Sequence, residues 1–167
     1  AELQSRVKPV GRLDKTSEGL ILLTDDGPLI LRLTHPRYHV EKEYRVGISG
    51  KIDTTLPDAL EAGVELEEGV ARAQRAEIMR TKPNGVVLRM VLTQGWKRQI
   101  RRMIEAVGCK VDFLRRIRIG PIRLERLMRG KCRHLTKAEI DLLYSATGMT
   151  TKGERSRRGK RNVQRNR

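Results

Sequence analysis

The sequence predicts an α+β domain built around a largely antiparallel sheet and followed by a basic tail. Three patterns point to this. Residues 43–48 alternate as a strand with one buried face does. Residues 70–79 and 86–93 read as two long antiparallel strands joined at Pro83, Asn84 and Gly85, a strong turn sequence. Ile100, Met103, Ile104 and Val107 recur at the spacing of one helix face, with Gly108 at the C-terminal cap position.

The remaining elements follow in order. Residues 20–24 form an apolar run closed by Asp25, Asp26 and Gly27, which predicts a strand ending in a turn. Pro28 suits the first turn of a helix over residues 29–33, which Pro36 stops. Residues 53–62 predict a short helix with Gly63 beyond its end, and residues 111–124 an extended stretch broken at Gly120 and Pro121. Thr136 and Glu139 form a capping-box pair that opens a helix to about residue 147. Beyond Gly148 the chain is polar and basic, a composition expected to be disordered on its own. The domain is therefore expected over 1–148, with a tail over 149–167.

The length of 167 residues suits a single core, which must be aliphatic because aromatics make up only 3%. Leu20, Ile21, Leu22 and Leu23 are the densest apolar run, far short of a bilayer span. There is no signal-like opening. Cys109 and Cys132 form no CxxC pair and read as thiols of a reducing compartment, which points to the cytoplasm.

Charge narrows the partner. Lys and Arg number 36 against 20 Asp and Glu, a net of +16. Residues 152–167 carry eight basic side chains against Glu154, a net of +7, which leaves +9 in residues 1–151. An excess in both body and tail favours a polyanion, held through phosphate neutralisation, over a merely solvated surface. No amphipathic helix with a large apolar face accompanies the tail, so a membrane is not expected.

The common catalytic sets do not occur. His35, His39 and His134 lack metal-ligand spacing, and no nucleophile elbow, phosphate loop or dinucleotide fingerprint exists. Asp25 and Asp26 could be imagined as a metal-binding pair for nuclease chemistry. Before Gly-Pro they read better as turn and cap residues. The expectation is a site without metal or cofactor.

One segment stands apart: Gly11-Arg12-Leu13-Asp14 followed, after Lys15-Thr16-Ser17-Glu18, by Gly19-Leu20-Ile21-Leu22-Leu23-Thr24-Asp25-Asp26-Gly27. It resembles the GRLD-x4-GLLLLTNDG signature of pseudouridine synthases that act on small- and large-subunit ribosomal RNA. Further matches follow in the same order. Lys42-Glu43-Tyr44 resembles the family's K-x-Y element, and residues 63–69 its GVxLEDG segment. Residues 95–103 resemble its G-x-x-RQIRRM motif, and residues 114–124 its L-x-R-x-x-IGP-x-x-L strand. The likeness covers about two-thirds of the chain.

The resemblance implies the pseudouridine synthase fold: a mixed, mostly antiparallel sheet with flanking helices and a central catalytic cleft. It implies isomerisation of a uridine within RNA, exchanging an N-glycosidic for a C–C bond, with no cofactor. Asp14 matches the catalytic aspartate; attack on the sugar, attack on uracil and removal of a ribose proton towards a glycal all stay open. Tyr44 matches the tyrosine that stacks on the base and helps to take the C5 proton, and Arg101 the basic partner of the aspartate. Arg12 matches an arginine that enters the stack vacated by the base. Leu114 or Ile119 would supply the apolar contact beneath the base.

These roles agree with the chemistry of the side chains. A guanidinium keeps a nearby carboxylate charged, and does so better than an ammonium. A base drawn from its stack costs a few kcal/mol, of which an aromatic face recovers roughly 1–3 kcal/mol. Residues 97–129 hold eleven Lys and Arg against three acids. From these and the loop, Lys15, Lys42, Lys97, Arg98, Arg102 and Arg116, with Arg12, are expected to contact RNA phosphates. Taken singly, Tyr44 reads better as an ordinary strand residue and Arg101 as a solvated charge, while Asp14 could merely cap a turn. The ordered motifs overturn those plainer readings. Trp96 is expected to pack rather than stack, and His35 and His39 to be structural or RNA-facing.

Two departures from the family bear on the chain. Its members usually carry a small S4-like RNA-binding domain first, and none precedes residue 9 here. Either it was cut away before Ala1 or this member lacks it, and the abrupt start favours a cut. The basic tail is no part of the family core. Ribosomal RNA is the expected partner, with the large subunit slightly favoured by the GVxLEDG-like segment, and a monomer is the default state. The competing reading is a non-catalytic RNA-binding or ribosome-assembly protein, for which charge alone suffices.

Overall fold

A computed structural model describes residues 6–150. In chain order its elements are β1 (Lys8–Pro9), β2 (Glu18–Gly19), β3 (Leu23–Thr24), α1 (Gly27–Thr34), a 3-10 turn (Pro36–Tyr38) and β4 (Lys42–Ser49). They continue with α2 (Leu56–Ala62), β5 (Val64–Leu66), β6 (Gly69–Ala71), β7 (Arg75–Lys82), β8 (Gly85–Leu92), α3 (Gln99–Ala106), β9 (Lys110–Ile119), β10 (Ile122–Arg123) and α4 (Lys137–Ala146). The basic tail falls mostly outside the described residues. Among those described, no helix is long and apolar enough to cross a membrane.

The main sheet runs β10-β9-β4-β8-β7, antiparallel throughout, and β2 joins β9 in parallel to make it mixed. The predicted strand over 70–79 is broken in two. Residues 69–71 pair with β5, and only from Arg75 does the chain join β8. Between them, backbone groups are taken by other elements: Ala73 N–H donates to Leu60 C=O at 2.9 Å and Arg72 N–H to the Gln94 side chain at 3.1 Å. Tertiary partners overrode the strand propensity there.

The predicted strand over 20–24 is likewise only partly realised. Leu20 and Leu22 turn inward while Ile21 and Leu23 are exposed, yet only residues 23–24 pair, with β1. Asp26 caps α1, its side chain accepting from Leu29 N–H at 3.0 Å and from the Tyr144 hydroxyl. This agrees with its reading as a cap rather than a metal ligand.

Side chains alternate across β4, β8 and β9 to give two faces. Val46, Ile48, Leu88, Met90, Leu92, Val111 and Leu114 share one face and form a first core with Leu60 of α2 and Ile100, Met103 and Ile104 of α3. A second core gathers Val10, Leu20, Leu22, Leu29 and Leu33 with Ile119, Ile122, Leu124 and Leu143 of α4. Two register shifts in β9, opposite Glu43/Tyr44 and Gly47/Ile48, keep Val111, Leu114, Arg116 and Ile119 on the same face although their spacing is not even. Along β9, Arg116 therefore stands between a residue of the first core and one of the second.

The capping box at α4 is present. Thr136 accepts from Glu139 N–H at 3.2 Å and the Glu139 carboxylate accepts from Thr136 N–H at 2.8 Å. The Arg133 guanidinium grips the same carboxylate at 2.6 and 2.8 Å, and together these hold Glu139 down at about 2. Because the folded value is depressed, the benefit is complete above the ordinary carboxylate range and lost as pH falls towards 2. Thr136→Ala should lower stability by about 1 kcal/mol in a thermal or urea melt. An unchanged melt would show that the box adds nothing.

Candidate active site

Asp14 lies in the loop between β1 and β2, half-buried, in a turn closed by Ser17 N–H donating to Asp14 C=O at 2.9 Å. Two buried guanidiniums hold this loop. Arg101 on α3, 7% exposed, donates from Nη2 to Thr16 C=O at 2.7 Å. Arg116 on β9, 4% exposed, donates from Nε to Leu20 C=O at 2.8 Å and from Nη1 to Arg12 C=O at 3.4 Å. Leu20 N–H returns a bond to Arg116 C=O at 2.8 Å. The loop is thus tied at both ends and in the middle.

Glycine makes the close approach possible. Gly19 has φ +112°, and a Cβ there would stand 2.2 Å from the Arg116 carbonyl oxygen. Any side chain would force β2 away from β9.

Tyr44 projects from β4 directly opposite Arg116. The phenol is raised above its usual value by burial, while the Arg116 charge and donor capacity pull it down and the Asp14 charge pushes it up. Asp14 and Arg116 thus both act on one phenol. Arg116 Nη2 is buried with no hydrogen-bond partner among the described residues. Lys42 lies two residues along the same face, half-buried, with Nζ donating to Val40 C=O at 3.2 Å. Burial lowers its pKa first and the Arg116 charge second.

The expected residues therefore separate into groups. Asp14 acts on the Tyr44 phenol through its charge, and Arg101 binds the Asp14 loop through the Thr16 carbonyl. Among the described residues no cation comes within ion-pairing distance of the Asp14 carboxylate. Arg116 is not the surface phosphate contact its charge suggested, because its strand alternation turns it inward beside Leu114. Arg102 is committed to Glu68 through two bonds of 2.7 Å. Arg12, Lys15, Lys97 and Arg98 are exposed. Leu114 is buried in the first core on the Tyr44 face, and Ile119 in the second core opposite Lys42. Trp96 packs against the first core. His35 accepts from Arg37 N–H at 3.2 Å as a cap. No group of three or more His, Cys, Asp or Glu side chains able to hold a metal ion occurs among the described residues.

The sequence reading missed the loop ties, since a backbone carbonyl carries no residue-type signal. One clue to Arg116 was present: it stands two residues after Leu114 in a strand, so both share a face. Tyr38, flanked by the Arg32 and Arg37 guanidiniums at 5.0 and 4.6 Å from its ring centre, also had no motif to announce it.

Comparison with known proteins gives a consistent result. The family described as RNA pseudouridylate synthase matches residues 1–106. An uncharacterized RNA pseudouridine synthase of Aquifex aeolicus is 40% identical over 148 residues, 89% of this chain and 59% of that protein. The ribosomal large subunit pseudouridine synthase B of Bacillus subtilis is 35% identical over 143 residues, 84% of this chain and 59% of that protein. A crystal structure of a pseudouridylate synthase superposes with TM-score 0.72 at 34% identity, covering 83% of this chain and 60% of that one. An H/ACA ribonucleoprotein bound to a substrate RNA containing 2'-deoxyuridine, at 18% identity and TM-score 0.56, shares the fold. The chain spans about three-fifths of the length of the curated relatives named here.

Proposed function

The chain belongs to the RNA pseudouridine synthase family, and from that membership we propose that it converts a uridine of ribosomal RNA to pseudouridine, with Asp14 as the catalytic residue. What supports the assignment is that the Asp14 charge acts on the Tyr44 phenol, which stands opposite Arg116, and that two buried arginines anchor the Asp14 loop. A carboxylate and a tyrosine provide two groups suited to the reaction, the carboxylate for the sugar or base and the phenolate form of the tyrosine, favoured by Arg116, for the C5 proton. Leu114 provides an apolar floor on the same face as the phenol. Exposed Arg12 and Lys15 neighbour Asp14 in its loop, and exposed Lys97 and Arg98 precede the helix that carries Arg101, charge that suits phosphates.

Large-subunit RNA is the favoured substrate, supported by the name of the Bacillus subtilis relative and the segment over residues 63–69. The chain acts in the cytoplasm as a monomer, with residues 1–148 as the catalytic domain and the basic residues beyond them as a non-specific phosphate contact. The test is tritium release from C5-labelled uridine in large- and small-subunit RNA offered separately. Release from large-subunit RNA, at a single mapped position, is expected. RNA that binds without releasing tritium from either subunit would favour a non-catalytic RNA-binding protein.

A further inference from the structure

Buried charge needs a reason. Arg116 is almost fully enclosed, and no carboxylate pairs with it among the described residues. A buried, unpaired guanidinium is costly unless its donors are used. Nε and Nη1 are spent on the carbonyls of Leu20 and Arg12, the two ends of the Asp14 loop, while Nη2 is left without a partner. The register shift at Glu43/Tyr44 moves the strand partner from Arg118 to Arg116, leaving Ile117 unpaired. In unbroken antiparallel register Tyr44 would face Ile117; the bulge brings Arg116 opposite it instead.

We propose that Arg116 is the positioning residue of this site, binding both ends of the Asp14 loop to β9 while presenting its charge to the Tyr44 phenol. The proposal rests on the assignment of Asp14 and Tyr44 to the reaction and adds what holds them in a common register. A guanidinium serves here because its planar fork bonds two carbonyls and still faces a third group, which an ammonium cannot do with fixed geometry. The guanidinium favours the phenolate, the form of Tyr44 that can accept the C5 proton, so it readies the side chain as a base before the proton is transferred. The groups around the phenol are Arg116 from β9, Asp14 from the loop and Lys42 on its own strand, with uncharged Met90 opposite on β8. Arg101 on α3 spends Nη2 on the Thr16 carbonyl, and its Nε is buried without a partner among the described residues.

The test uses the full chain with Arg116→Met and Arg116→Lys. Each is titrated by tyrosinate absorbance against its own Tyr44→Phe counterpart, so that the difference isolates Tyr44 among the three tyrosines. Arg116→Met should move the Tyr44 midpoint up by about one pH unit or more, because the opposing positive charge is gone. Arg116→Lys should keep the midpoint within a few tenths of a unit of the wild-type value. In single-turnover tritium release both variants should be at least about tenfold slower, since each loses the two carbonyl ties, with RNA affinity changed less than about twofold. Equal midpoint shifts in the Met and Lys variants, or wild-type rates in both, would overturn the proposal. If Arg116→Met does not fold, a Lys variant with a wild-type rate would overturn it, and a slow Lys variant with an unshifted midpoint would support it. An inactive wild-type chain would instead strike the functional assignment, and the titrations would still decide the contact.

Discussion

Asp14→Asn is expected to abolish tritium release from C5-labelled RNA, with the rate falling on the order of 10³-fold or more, as when a catalytic base or nucleophile is lost. The amide has the shape of the carboxylate but neither its charge nor its nucleophilic oxygen. The turn that holds it depends on the Asp14 backbone carbonyl, which accepts the same bond from Ser17 N–H after substitution. The melting temperature should therefore stay within a few degrees, and RNA affinity should hold or rise as a negative charge leaves a basic cleft. A second readout is available without RNA. The Asp14 charge pushes the Tyr44 phenol up, so its removal should bring the Tyr44 midpoint down. Turnover that survives in the variant would exclude Asp14 from the chemistry. An unmoved phenol would separate the two side chains.

Gly19→Ala should be strongly damaging. The added methyl meets the Arg116 carbonyl oxygen at 2.2 Å and the Arg116 nitrogen at 2.7 Å, both backbone atoms of an inner strand, in a conformation with φ +112°. Relief by a rotamer change is impossible. Overpacking and left-handed strain together should cost about 3 kcal/mol or more, lowering the melting temperature by about 6 °C or more. Activity should fall further than stability alone explains, because β2 must leave β9 and the Leu20–Arg116 bonds leave with it. A variant with wild-type melting and rate would show that β2 is not needed at β9.

Much of the architecture was legible in the residues. The spacing of Ile100, Met103 and Ile104, the turn at Pro83 to Gly85 and the pair Thr136 and Glu139 each encode a local decision, and local decisions are what sequence patterns record. The break at Arg72–Gln74 was not legible, because it depends on donors and acceptors on α2 and near Gln94 that come together only in three dimensions. The site divided in the same way. Asp14, Tyr44 and Arg101 were marked by motif, whereas the pairing of Arg116 with Tyr44 followed from a register shift beside it that no residue type announces. Charge suggested a surface residue there. Packing decided otherwise.

The path of β9 has a consequence for how the molecule comes apart. Its early residues, Val111 and Leu114, are rooted in one apolar cluster, and Ile119 in the other, so a single strand is a shared beam beneath both. Neither half can melt without loosening the beam, and the seam where Arg116 sits would lose its walls with either. Heat should thus remove the two halves in one cooperative step, and no half-folded state should keep the cleft.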